Sequence, residues 1–116
     1  DVVDRGFVTY SNEAKEEMLG VPANILDTHG AVSAPVARAM AEGALKHSHA
    51  QLSVAVTGIA GPGGGSAAKP VGLVYIATAS ARGETQIRDC RFGDIGRNAV
   101  RMATVKEALT LLRERF

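Results

Sequence analysis

The run TGIAGPGGGSAAKPVG at residues 57–72 most constrains what this chain can fold into. Six of its sixteen residues are glycine and two are proline, a mixture that breaks helices, weakens strand interiors and supplies few side chains to a core. Apolar stretches flank it, LSVAVTG before and GLVYIATA after, so the run reads as a long loop between two strands. Loops of this length inside a small domain are usually functional. Without Cβ atoms, their backbone N–H groups can approach a ligand closely. Two familiar glycine motifs do not fit. A Walker loop ends in Gly-Lys-Ser/Thr at a helix start, whereas Lys69 is followed by Pro70 and a strand. A dinucleotide fingerprint needs a third glycine where Ser66 stands, and a helix after it.

The rest of the composition narrows the function classes. At 116 residues and 46% hydrophobic, the chain fits one domain with a modest core. Thirteen basic residues against twelve acidic leave a net charge of +1, which gives no electrostatic footprint for nucleic acid. Aromatic content of 4%, with no Trp, also argues against a base-stacking platform. No apolar run is long enough to span a membrane and the first residues lack a signal-peptide layout. The single cysteine permits no intramolecular disulfide and suits a reducing compartment, so the cytoplasm is expected.

Hydrophobic periodicity predicts a layered α/β fold. Residues 5–10, RGFVTY, read as a short strand ended by Ser11, a helix N-cap for NEAKEEML. Gly20 and Pro22 stop that helix. A short irregular stretch follows, then a helix capped by Ser33 with Pro35 in its first turn; Val36, Met40 and Ala44 line one face. Residues 52–57 and 73–79 read as strands buried on both faces. Residues 85–92 alternate like an edge strand after a turn at Arg82 and Gly83. From Ile95 onward Val100, Ala103, Val105, Ala108, Leu109 and Leu112 predict a long amphipathic helix. This order predicts a mostly parallel sheet with one antiparallel pair, and no repeat, linker or second domain.

Four stretches together resemble the CinA C-terminal domain family, which includes nicotinamide mononucleotide amidases. They are GFVTYSNEAK, HGAVSAPVARAMAEGA, VTGIAGPGGGSAAKPVG, and the terminal pattern of Phe92, Arg97, Val100, Arg101 and Thr104. The resemblance spans nearly the whole chain in family order. It implies a three-layer α/β/α sandwich around a mixed five-stranded sheet. It also implies cofactor-free, metal-free hydrolysis of a small nucleotide's amide to the nicotinate nucleotide and ammonia, as in pyridine nucleotide recycling, with a homo-oligomer left open. In the family the attacking serine belongs to an upstream Glu-Ser-Cys-Thr-Gly-Gly-like motif, which does not occur among these residues. The expectation is therefore of a domain incomplete at its N-terminus, lacking its first helix and strand, and inactive as these 116 residues alone.

The resemblance assigns Lys15 as the base and Tyr10 as its helper, both expected where a strand meets the following helix. A lysine must be desolvated, or sit beside another cation, to be neutral near pH 7; an ordinary solvated helix lysine is the plainer reading. Thr57 and Gly58 open the glycine loop and are candidates for polarising the amide carbonyl. Arg97 begins the last helix, where a bidentate phosphate contact is natural, although its spacing from Phe92 departs by one residue from the family's. Asn12 either caps the first helix or touches substrate. His47 and His49 read as helix-end residues, Cys90 as an inert structural thiol, and Ser66 as a loop serine with no base beside it. Two function classes follow: an amidohydrolase whose nucleophile lies elsewhere in the protein, or a non-catalytic nucleotide-binding or regulatory module.

Overall fold

The computed structural model describes residues 2–116. Helix α1 spans Asn12–Leu19, begun by Ser11, whose Oγ accepts the Ala14 N–H at 3.0 Å, and stopped at Gly20. Helix α2, Ala23–His29, lies in the stretch expected to be irregular. Its seven residues follow a proline and carry little amphipathic signal, so periodicity misses it. Helix α3 spans Ala34–Lys46, capped by Ser33 with a proline in its first turn. Then come β1 (Leu52–Gly58), β2 (Leu73–Ser80), β3 (Gln86–Arg91) and α4 (Arg97–Arg113).

The three strands form one sheet in the order β1-β2-β3, and both pairings are antiparallel. The mostly parallel sheet expected from the sequence is therefore not what forms. A parallel pair needs a crossover connection, usually a helix. The glycine run contains no helix and instead folds back as one long hairpin loop, which makes β1 and β2 antiparallel.

Strand β2 is the middle of the sheet, and its side chains alternate between two cores. Ala77 and Ala79 join Leu19, Val21, Leu26, Val36, Ala37 and Met40 beneath α1–α3, with Tyr75 packed against them. Val74 and Ile76 face the other way, onto Cys90, Val100, Ala108 and Leu111. Helices thus cover both faces of the sheet.

Three expectations change at the periphery. Residues 5–10 are not a strand: Val8 and Tyr10 are exposed, and the segment is held instead by Arg5 donating to His47 O and by Asp4 accepting from His49 N–H. Strand β1 is an edge among the described residues, so Val56 on it remains 44% exposed where burial on both faces was expected. In α4 the inward face is Val100, Thr104, Ala108 and Leu111, whereas Val105 and Leu109, expected in the core, join Met102 as an exposed apolar stripe. The helix has apolar residues on two faces, and pattern alone cannot choose which one the sheet takes.

Candidate functional site

The glycine loop has a hydrogen-bonded neck. Ile59 N–H donates to Leu73 O at 3.0 Å, and Gly72 N–H donates to Ile59 O at 2.7 Å. Antiparallel pairing alternates the direction of backbone groups along a strand. Since Ile59 and Thr57 turn theirs toward β2, Gly58 turns its N–H toward the free edge of β1. Gly58 also needs to be glycine for packing: a Cβ there would lie 2.7 Å from Val74 Cγ2 and 2.9 Å from Leu73 O.

Three side chains gather the surrounding segments around this neck. Thr57, at the end of β1, donates its hydroxyl to Ala31 O at 2.8 Å. Lys69, on the returning limb of the loop, donates its ammonium to His29 O at 2.5 Å. Arg97, the first residue of α4, donates from Nη1 to Gly61 O at 2.9 Å. The α2–α3 connection, the end of β1, both limbs of the loop and the start of α4 therefore meet in one place. A cavity of about 570 Å³ opens beside the loop, lined by Gly63, Gly64 and Gly65 together with Arg91 and Asp94.

Lys15 occupies a different setting. It is 5% exposed, and its Nζ donates to Thr9 O at 2.8 Å. No carboxylate among the described residues pairs with it, and burial pulls its pKa below the ordinary 10.5, because a low-dielectric surround disfavours the charged form. Tyr10 follows the carbonyl that Lys15 holds, but its side chain is 95% exposed. Asn12 is the exposed first residue of α1 and not its cap, a role Ser11 fills. Hydrogen bonds do not join Lys15 to Thr57 or Arg97: each of the three is bonded to a different backbone carbonyl.

The remaining chemically active side chains have structural explanations. Ser66 Oγ accepts the Lys69 N–H at 3.1 Å inside the loop. His47 sets Nδ1 against Gly43 O at the end of α3. Cys90 is buried, and desolvation raises its pKa. No group of three or more His, Cys, Asp or Glu among the described residues could hold a metal ion, and no helix is long and apolar enough to cross a membrane. Lys69 and the carbonyls of His29 and Ala31 are the part of the site that sequence reasoning missed. A lysine next to a proline at the end of a glycine loop was the only signal, and main-chain acceptors leave none.

The family model of the CinA C-terminal domain matches residues 1–116. The chain belongs to this CinA family. A CinA-like protein from Anaeromyxobacter dehalogenans (strain 2CP-C) is 52% identical over 112 residues, covering 97% of this chain and 27% of that relative. The nicotinamide-nucleotide amidohydrolase PncC of Escherichia coli (strain K12) is 54% identical over 114 residues, covering 97% of this chain and 68% of the enzyme. The crystal structure of competence/damage inducible protein CihA from Agrobacterium tumefaciens superposes with a TM-score of 0.94 at 58% identity, over 96% of this chain and 67% of that one. The present chain thus spans about a quarter of one CinA relative and about two thirds of the others.

Proposed function

We propose that these residues are the base-bearing and substrate-binding part of an amidohydrolase. Its reaction is hydrolysis of the carboxamide of nicotinamide mononucleotide to nicotinate mononucleotide and ammonia. The observation that carries the reading is Lys15, a buried amine with a lowered pKa and one carbonyl partner. Burial without a carboxylate is how a lysine is made a base near neutral pH. The PncC relative, similar to this chain over 97% of its length, supports the choice of substrate.

In this mechanism a serine hydroxyl from a part of the protein outside these residues attacks the amide carbonyl, and neutral Lys15 takes its proton. The carbonyl oxygen gains negative charge, which the free N–H of Gly58 is oriented to stabilise. Lys15, helped by Tyr10, returns the proton to the departing nitrogen, and ammonia leaves. Water then hydrolyses the acyl-serine and regenerates the hydroxyl. Arg97 keeps one nitrogen on Gly61 O and offers its remaining N–H groups to the phosphate. Asn12, exposed at the start of α1, contacts the polar part of the nucleotide. The greater length of the CinA relatives supports a serine supplied from outside these residues.

Ammonia release from nicotinamide mononucleotide by the full-length protein tests the reading. Turnover that falls when nicotinamide riboside replaces the mononucleotide supports it, including the phosphate contact. Nucleotide binding without ammonia would replace it with the non-catalytic module.

A further inference from the structure

The glycine loop carries more restraint than a hairpin connection needs. Beyond its neck at Ile59 and Gly72, it is tied on each limb to a different helical layer. Arg97 of α4 holds the outgoing limb at Gly61 O. On the returning limb, Lys69 crosses to the end of α2 and donates to His29 O at 2.5 Å. The turn presenting Lys69 is itself fixed: Ser66 N–H donates to Lys69 O at 2.9 Å, and Lys69 N–H donates to Ser66 Oγ at 3.1 Å. Lys69 forms no ion pair with a carboxylate among the described residues. Its partner is one of the last carbonyls of a helix, which lack intrahelical donors and take a cation well. The receiving site is shaped for it. Gly30 has φ 77°, and a Cβ there would stand 2.9 Å from Lys69 Nζ, so the space a side chain would occupy is filled by the ammonium.

We infer that Lys69 is a positioning residue for substrate binding, tethering the glycine loop to the α2–α3 connection so that the loop's free N–H groups are held for the nucleotide. The adjoining segment is the one that fixes Thr57 through Ala31, so the tether sets the loop against the end of β1. With the tether cut, the loop hangs on its neck and on Arg97 alone, and its binding surface must be ordered at each encounter, which raises KM more than it lowers kcat. This kinetic consequence rests on the amidase reading; the tether itself does not.

The test uses the full-length protein with Lys69→Met and Lys69→Arg. Hydrogen exchange reads the tether directly at the Ser66, Lys69 and Gly30 amides, with Tyr75 and Ile76 in β2 as internal controls. In Lys69→Met we expect these three amides to exchange about tenfold faster with the controls unchanged, the scale of losing one charge-assisted hydrogen bond. KM for nicotinamide mononucleotide should rise about fivefold or more, with kcat within twofold of wild type. Lys69→Arg, which can still donate to a carbonyl, should recover most of both effects. Unchanged exchange in Lys69→Met overturns the tether. Faster exchange with unchanged KM overturns its part in substrate binding. A wild-type protein that releases no ammonia sinks the amidase reading, while the exchange measurement still decides the tether.

Discussion

Replacing Lys15 by methionine should remove a pH dependence of stability while disabling the protein. The side chain is 5% exposed, and burial is the sole cause of its lowered pKa. The native state therefore holds the proton more weakly than the unfolded chain, where the pKa is near 10.5. The sign follows from linkage. Below the native pKa both states are protonated, and wild type carries the full penalty of a buried cation. Between the native value and 10.5 only the unfolded state is protonated, so wild-type stability rises with pH by about 1.4 kcal/mol per unit. Methionine has similar length and no charge. It forfeits the bond to Thr9 O, worth about 1.5–3 kcal/mol for a charged donor, and removes a desolvation cost that opposes it. The net expectation is a variant within about 1 kcal/mol of wild type at pH 7, losing ground to wild type as the pH rises toward 10. Urea unfolding of both full-length proteins at pH 7, 8.5 and 10 measures this, and titrations common to both cancel in the difference. A difference independent of pH would refute the argument that Lys15 is held against its charge.

Arg97→Ala should raise KM for the mononucleotide more than it lowers kcat, and more than it raises KM for the riboside, which loses only the tie to Gly61 O; equal effects on both substrates would mean the arginine does not read the phosphate. Gly58→Ala should destabilise by about 1–3 kcal/mol in urea, because its Cβ meets Leu73 O and Val74 Cγ2. Thr57→Val should cost about 1 kcal/mol by leaving Ala31 O without its donor, yet keep turnover within about threefold, since that proton is engaged structurally. Tyr10→Phe should leave Tm unchanged, its ring being almost fully exposed, and slow kcat less than Lys15→Met does.

Local rules made much of the architecture legible. Ser11 and Ser33 cap the helices assigned to them, and the strands flanking the glycine loop lie where the apolar runs put them. What failed were statements about partners. Strand direction depends on whether residues 57–72 cross over or turn back, and glycine composition is compatible with either. Which face of α4 is buried depends on the sheet it meets, and Val105 and Leu109 are as apolar as Leu111. Residues 5–10 have strand propensity, but propensity forms a strand only where an edge accepts it. For the site, chemistry-bearing side chains such as Lys15 and Arg97 could be named from the sequence. Their carbonyl partners at Thr9 and Gly61 could not, because every residue has a carbonyl and only the fold selects one. Lys69 is illegible in the sequence for the same reason, since what it does depends on the acceptor it reaches.

The most direct measurement is the pH dependence of kcat/KM for ammonia release from nicotinamide mononucleotide by the full-length protein, beside Lys15→Met. With Lys15 as the base, activity should rise with pH on an acidic limb whose pKa lies below the 10.5 of an ordinary lysine. Lys15→Met should lose about 10²-fold or more in kcat together with that limb. A Lys15→Met protein that keeps near-normal turnover and the same limb would contradict the account.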